Sequence, residues 1–251
     1  MSVNFVIASS QLLEKASAPL TAVPVTVGMW FNMDAAGTLV QQLWGLQGSA
    51  STNMFMRLTL TASETLSAST KDSGTTASAA TLTTVCNAKK WIFVVARFIT
   101  AANRRISAIF ENGAIEHANN TTSRTPTGID IETLGGRKHS STSEFFGGQI
   151  AEFWVVKGDV QTDTGDLKNH TLRQLAYRGP FSLPNIAKDI VEYRSFRQTL
   201  VSDRDVGSEV YWSDGYKRPV WTNTNACTLA YHPPLTSEWR KPADARPNLA
   251  V

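Results

Sequence analysis

Two adjacent segments that end in a turn dipeptide constrain the fold of this chain more than any other feature. Trp91–Phe98 is apolar throughout, which is typical of a central strand covered on both faces. In Arg105–Glu111, apolar and polar residues mostly alternate, which predicts a strand with one buried face. Asn112-Gly113 follows, and because both residues tolerate positive φ they predict a hairpin turn into a further strand, Ala114–His117.

Similar short runs, rich in Val, Ile, Thr, Phe and Trp, recur along the 251 residues and predict strands rather than helices. Val25–Met33 alternates and predicts a half-buried strand. The Ser- and Thr-rich region 59–84 also alternates in its first half. We therefore interpret that half as two strands joined by a tight turn near Ser63-Glu64, not as a linker. The chain length and the 42% of hydrophobic residues suit one large β domain.

One helix is predicted, over Gly165–Arg178. Thr164 can cap its start, and Gly179-Pro180 ends it, because Gly permits a left-handed exit and Pro cannot continue a helix. Three aspartates lie at or before its first turn: Asp159, Asp163 and Asp166. They lack the alternating oxygen donors of a calcium loop, so we expect them to stabilise the start of the helix.

The order of these pieces, over about residues 3–200, resembles the laminin-G-like branch of the concanavalin A-like jelly rolls. Trp30-Phe31 matches the aromatic pair that ends an early strand in that family, and Trp91–Phe98 matches its tryptophan-led strand. Gly135-Gly136 matches the glycine pair before a variable loop. Phe145–Trp154 is similar to the family's "F-x-G-x-I-x-E-x-x-x-W" text.

The resemblance implies an all-β fold: a two-sheet antiparallel jelly-roll β-sandwich with roughly six strands in each sheet, one short helix and an extended C-terminal tail. We assign residues 1–230 to the sandwich and 231–251 to a Pro-containing tail. In such a fold Glu152 has a structural or surface role. Gly147-Gly148 then serves a tight turn or a close approach of strands rather than an anion site.

The sequence offers no catalytic constellation. Glucanases of this fold carry an E-x-D-x-x-E pattern whose alternate carboxylates share one face of a strand. Here only Asp130 and Glu132 have that spacing, with no further glutamate at the required offset, and we expect both at a solvated strand end. The four histidines show no metal-ligand spacing. We therefore predict no enzymatic activity, no cofactor and no metal site.

Charge and cysteine usage narrow the classes of partner and the compartment. A net charge of +3 with scattered basic residues argues against nucleic-acid binding. No apolar run reaches membrane-helix length, and no basic leader is seen, so we expect folding in the cytoplasm. Cys86 and Cys227 fit no metal pattern, and we expect two buried, reduced thiols, while a disulfide between them stays open.

The seven tryptophans divide between core and surface roles. Three are expected in the core: Trp30, Trp91 and Trp154. The others, Trp44 among them, are candidates for stacking on a sugar ring wherever they are exposed. We single out Trp212 and Trp221 as candidate glycan-stacking residues.

The chain also resembles small concanavalin A-like proteins in the virion structural modules of tailed bacteriophages. The leading hypothesis is a non-enzymatic virion structural protein, a capsid decoration or fibre component that contacts neighbouring subunits. It is expected as a homo-oligomer, with a trimer as one option, in a virion assembled in the host cytoplasm. Trp239 and Arg240 in the tail are the candidate interface residues. The alternative is a carbohydrate-binding module, and a mixed role with glycan adhesion stays open; a glycoside hydrolase is the least favoured.

Overall fold

The computed structural model describes residues 2–35, 37, 39–50, 54–73, 75–138, 142–194, 209–210, 221–224 and 228–230. Within these ranges the fold is nearly all β. The strands are β1 (Ser2–Phe5), β2 (Leu12–Lys15), β3 (Val25–Met33), β4 (Gln41–Gln47), β5 (Phe55–Leu60), β6 (Thr65–Lys71), β7 (Ser78–Val85), β8 (Trp91–Thr100), β9 (Asn103–Ile109), β10 (Ile115–Asn120), β11 (Ile131–Leu134), β12 (Arg137–Lys138), β13 (Thr142–Ser143), β14 (Gly148–Lys157), β15 (Ile190–Arg194), β16 (Glu209–Val210), β17 (Trp221–Thr224) and β18 (Thr228–Ala230). One α-helix, α1, spans Asn169–Arg178, and single 3-10 turns span Ile7–Ser9, Pro180–Ser182 and Ala187–Asp189.

The strands form two large antiparallel sheets. The first sheet has the order β10-β9-β8-β3-β14-β1-β18, with β15 also paired to β14. The second sheet has the order β16-β17-β2-β11-β4-β5-β6-β7. Each therefore holds eight of the described strands, against the roughly six that the family resemblance implied, and β12 pairs with β13 in a separate small ribbon. Several neighbouring strands, such as β3 and β14 or β2 and β11, are distant in sequence, and this crossover topology of two antiparallel sheets confirms the predicted jelly-roll sandwich.

The main core lies between the sheets. Alternate residues of β3, β8 and β9 meet alternate residues of β4, β5 and β6, as the period-two patterns require. Trp44 of β4, for example, lies 6.1 Å from Phe98 of β8, measured between ring centroids. Ile106, Ala108 and Phe110 all point into this core. The alternation read from the sequence thus predicts which face of each strand is buried.

A second core covers the outer face of the first sheet, and it corrects the prediction that Val25–Met33 is half-buried. The helix α1 packs there, and the indole Nε1 of Trp30 donates to the carbonyl of Ala176 at 3.1 Å. Trp154 lies directly over Gly28, where a Cβ would be only 2.1 Å from its ring. Trp30, Trp91 and Trp154 are all buried, as predicted.

The predicted hairpin is confirmed. Gly113 has φ +79°, its N–H donates to the carbonyl of Phe110, and Asn112 Oδ1 accepts from the N–H of Ala114. The Ser- and Thr-rich region is also built as strands, because β5 and β6 pair around a turn that contains Glu64 at φ +61°.

The helix starts later than predicted. It begins at Asn169, and neither Thr164 nor any other side chain caps it. The expectation that the three aspartates stabilise the helix start is wrong as well. Asp159 accepts two hydrogen bonds of 2.6 Å from the buried Arg97, and Asp166 pairs with Arg105. These loop residues therefore satisfy arginines of the first sheet. The helix ends at Gly179 as predicted and φ there is positive, at +72°, but its ψ of 180° is not that of the predicted left-handed exit.

Within the described part of the chain, none of the helical segments has the length and apolar character that crossing a membrane demands.

Candidate functional site

The outer face of the second sheet is polar, and we call it the polar face. Residues directly opposite each other in antiparallel strands share a face. The register therefore places three rows across the sheet. The rows are Gln47–Phe55–Lys71, then Glu14–Thr133–Gly45–Arg57–Ser69, then Gln42–Thr59–Ser67–Thr81. Their alternate neighbours, such as Leu46, Met56 and Leu58, point into the core.

Two arginines and one glutamate lie at the centre of the polar face. The guanidinium carbons of Arg57 and Arg137 lie 4.3 and 5.4 Å from the ring centroid of Phe55. Arg137 Nη1 donates to Glu144 Oε1 at 2.9 Å, and Arg57 Nη1 donates to Glu144 Oε2. Arg57 Nε also donates to Ser69 Oγ at 3.3 Å. We call these residues (Arg57, Arg137, Glu144 and Phe55) the arginine clamp.

The clamp is only partly accessible. The side chains of Arg57 and Glu144 are 15% and 21% exposed, whereas Phe55 is buried beneath the guanidinium groups. Burial lowers the pKa of Arg57; the carboxylate of Glu144 opposes this shift, and the neighbouring charge of Arg137 adds to it. The guanidinium edges, rather than the aromatic ring, are therefore the surface that a ligand would meet.

Glu144 is held in place by its backbone as well as by its carboxylate. Its φ is +52°, a conformation that residues other than glycine seldom adopt, and its carbonyl accepts a 2.7 Å hydrogen bond from the N–H of Gln42. Arg137 lies on β12 and Glu144 directly follows β13, so the small ribbon supplies both side chains to a sheet to which neither belongs.

Two buried glutamines line the same face. Gln42 Nε2 donates to Thr133 Oγ1 at 2.9 Å and to the carbonyl of Gly136 at 3.0 Å, and Gln47 Nε2 donates to that hydroxyl at 3.2 Å. Their Oε1 atoms are buried with no hydrogen-bond partner among the described residues. Buried acceptors without donors are rare, and they concentrate at functional or water-binding positions. The absence of a side chain at Gly45 provides the space that the Gln42 amide occupies, since a Cβ there would lie 2.5 Å from Gln42 Nε2.

A second polar group, the enclosed cluster, lies between the sheets. Lys15 Nζ donates to Glu192 Oε2 at 3.2 Å and lies 4.0 Å from Glu132 Oε2. Trp44 Nε1 donates to Glu132 Oε1 at 2.7 Å. The side chains of Glu132 and Glu192 are 0% and 1% exposed. The cluster joins β2, β4 and β11 of the second sheet to β15 of the first.

Burial raises the pKa of Glu132 well above its ordinary value, and the nearby carboxyl of Glu192 raises it further through charge and a hydrogen bond. Lys15 and the Trp44 indole oppose this shift. Glu132 Oε2 is buried with no hydrogen-bond donor among the described residues, which agrees with the raised pKa of this carboxyl.

This placement corrects the prediction for Asp130 and Glu132. Asp130 is exposed, as expected, and accepts hydrogen bonds from the backbone and hydroxyl of Ser49. Glu132, expected at a solvated strand end, is fully buried instead. The sequence gives no local signal for this burial, because its partners lie on three other strands.

The other residues singled out in the sequence either make contacts that support the fold or lie outside the described residues. His117 bonds Ser107 and Asn169 through its two ring nitrogens. Cys86 is a buried free thiol, and burial raises its pKa to about 12. Among the residues the structure describes, no three His, Cys, Asp or Glu side chains are grouped to hold a metal ion.

Trp44 is fully buried, which removes it from the sugar-stacking candidates. Trp212, Trp239, Arg240 and Cys227 lie outside the described residues. Trp221 begins β17, but the structure describes only its backbone. The proposed roles of these tryptophans and of Arg240 therefore stay predictions.

Comparison with solved structures finds proteins to which this chain is similar. A candidate carbohydrate-binding protein from Bacteroides ovatus superposes with a TM-score of 0.53 at 14% identity, over 90% of this chain and 58% of that chain. The enzymatically active domain of tailspike protein 2 from bacteriophage CBA120 gives 0.51 at 12% identity, over 78% and 31%. Domains LG4-5 of the mouse laminin α1 chain give 0.46 at 14% identity, over 61% and 40%.

A search of curated protein sequences finds no significant match. The model of one protein family, however, matches residues 8–163, which is more than half of the chain. The matched range runs from the 3-10 turn before β2 to the loop after β14, and so includes most described strands of both sheets and the polar-face residues named above. The chain belongs to the concanavalin A-like lectin/glucanases superfamily, in its laminin-G branch.

Proposed function

We propose that this protein is a non-enzymatic glycan-binding module whose contact surface is the polar face. The observation that carries the proposal is the arginine clamp beside two buried glutamine oxygens that have no donor among the described residues. Guanidinium and carboxylate groups present fixed, planar sets of donors and acceptors, which suit the paired hydroxyls of a sugar. The candidate carbohydrate-binding protein of the same fold supports this proposal.

Binding without hydrolysis is favoured by the positions of the carboxyl groups. Glycoside hydrolysis uses two carboxyl groups on either side of the scissile bond. Glu132 and Glu192 form a pair, but they are enclosed between the sheets. On the polar face, Glu144 is paired with two arginines, and Glu14 is paired with Lys138. Neither of these two carboxylates on the polar face is placed to act as an acid or a nucleophile.

We expect Arg57→Gln to weaken glycan binding by at least about tenfold, because a charge-assisted hydrogen bond contributes roughly 1.5–3 kcal/mol. The measurement is a glycan array followed by titration calorimetry with the best ligand. Arg105→Gln is the matched control, since Arg105 is 14% exposed, against 15% for Arg57, and is also paired with a carboxylate, but lies on the first sheet. Equal binding by both variants, with circular dichroism showing them folded, contradicts the placement of the site.

A second candidate is a component of a phage particle, as the sequence analysis favoured. The specific observation is the tailspike domain, which shares the fold over 78% of this chain. Here the polar face would serve adhesion, while contacts of the tail would hold the protein in a homo-oligomeric assembly or on capsid or fibre subunits.

Deletion of residues 237–251, which removes Trp239 and Arg240, is expected to abolish incorporation into particles and leave the thermal unfolding of the domain unchanged. Aromatic and arginine side chains concentrate binding energy at interfaces, which is the reason for this expectation. Co-sedimentation with particles measures incorporation, and light scattering measures the oligomeric state. Full incorporation of the truncated chain would rule out the tail as the anchor.

A further inference from the structure

The polar face carries more cations than anions. Its described charged side chains are four cations, Lys71, Arg57, Arg137 and Lys138, and two carboxylates, Glu14 and Glu144. Lys138 is paired with Glu14, and Glu144 is paired with both arginines of the clamp. These two arginines and Glu144, counted together, carry one positive charge in excess. A ligand that brings a negative charge to them gains an attraction that a neutral sugar cannot.

Glu144 indicates which anion the clamp accommodates. Each of its two carboxylate oxygens accepts from a different guanidinium, so the arginines hold one planar carboxylate between them. The backbone of Glu144 itself has φ +52°, and such a conformation costs of order 1–3 kcal/mol. Arg57 has further guanidinium N–H groups, and the structure gives Nη2 no acceptor among the described residues. An incoming carboxylate can therefore bond Arg57 before it competes with Glu144.

We propose that the polar face binds acidic glycans, with the carboxylate of a uronic-acid-type sugar held by Arg57 and Arg137 in competition with Glu144. This inference rests on the proposed glycan-binding function and specifies its ligand class. Glu144 is then an internal competitor that fills the clamp in the free protein.

The test is calorimetric titration of the full chain with uronate oligosaccharides (galacturonate, glucuronate and mannuronate) and with the methyl esters of the same oligomers. The esters keep the sugar backbone and remove the charge. At least one acid form is expected to bind at least about tenfold more tightly than its ester, with an affinity that falls as salt rises. Dextran sulfate distinguishes carboxylate recognition from general attraction of anions, and it is expected to bind more weakly than that uronate.

Glu144→Gln is the informative variant, because it keeps the side-chain shape but removes the competing charge. It is expected to bind the uronate several-fold more tightly than the wild type, and Arg57→Gln is expected to bind it at least about tenfold more weakly. Glu144→Asp keeps the charge and serves as the control, with no gain expected. Circular dichroism verifies the fold of each variant.

Three results would overturn the inference: equal binding of acid and ester, equal or tighter binding of dextran sulfate, or unchanged or weaker uronate binding by folded Glu144→Gln. The first leaves glycan binding itself intact, since a neutral sugar is then the ligand. If the protein binds none of the uronates and no glycan on the array, the proposed function is wrong, and this inference with it.

Discussion

Replacement of Lys15 by Met is expected to lower the free energy of unfolding by about 3–5 kcal/mol at pH 8. Removal of one partner from a buried ion pair leaves an uncompensated charge in a region of low dielectric constant, which is the reason for a loss of this size. Lys15 is the described cation that faces both Glu132 and Glu192, and it is 6% exposed. Met fills a similar volume, so the loss reports charge rather than a cavity.

The loss depends on pH, and its sign follows from the raised pKa of Glu132. The folded chain keeps a proton at pH values where the unfolded chain, with an ordinary value of 4.5, has lost it. The free energy of unfolding therefore falls as the pH rises above 4.5, until the native pKa is passed. Without Lys15 this native pKa rises further, so the Lys15→Met deficit is expected to be small near pH 4.5 and to grow towards pH 8.

Urea unfolding at pH 5 and pH 8 measures this deficit. Lys138→Met is the matched control, since Lys138 pairs with Glu14 on the same sheet but is 39% exposed; a loss below about 1 kcal/mol is expected. In Glu132→Gln the new amide can still accept from Trp44 and can donate to Glu192, but it does not titrate. The free energy of unfolding of this variant should therefore fall less between pH 5 and pH 8 than that of the wild type. A Lys15→Met loss that is equal at both pH values would contradict the account of the cluster.

Local sequence pattern predicts much of this fold, because the order of apolar and polar residues in each strand indicates which of its faces are buried. In β8, apolar residues on both faces predict cover from both sides, and the main core and α1 supply it. Asn112-Gly113 specifies its own turn, since the required φ is a property of those residues. The failures have the opposite cause. The helix α1 starts later than predicted, and at its predicted start the carbonyl oxygens of Asp163 and Gly165 accept hydrogen bonds from Arg97, a contact that no local pattern encodes.

The candidate site was only partly accessible to such reasoning. The alternating Ser and Thr of β6 indicated a polar face, but not what lies across it. Arg57 is on β5, whereas Arg137 and Glu144 come from a segment far along the chain, so only the folded sheet joins them. Glu132 illustrates the same limit, because strand alternation alone cannot distinguish a solvated carboxylate from one buried beside Lys15.

Gly148→Ala is the second substitution for which a large loss of stability is expected. The sequence predicted that Gly147-Gly148 allows a tight turn or a close approach of strands, and the structure confirms a close approach at Gly148. A Cβ there would lie 2.1 Å from the carbonyl oxygen of Asn32 and 2.8 Å from the Cα of Met33. Both obstacles are backbone atoms of β3, which cannot move aside as the end of a flexible side chain could.

The control separates this collision from the cost of an unusual backbone conformation. Gly158 has φ +138°, close to the +146° of Gly148, but a Cβ there meets nothing within 4 Å. Ala should therefore cost about 1–3 kcal/mol through φ at both positions, and a further 1–3 kcal/mol or more, on the order of an overpacked core, at Gly148 alone. Chemical denaturation of both variants measures the difference.

The excess at Gly148 has a structural meaning, because this residue begins the part of β14 that pairs with both β3 and β1. Relief of the collision requires β14 to move away from β3, which breaks the centre of the first sheet rather than its edge. Equal destabilisation by Gly148→Ala and Gly158→Ala would mean that β14 can shift at no cost, and that the close approach does not determine the choice of glycine.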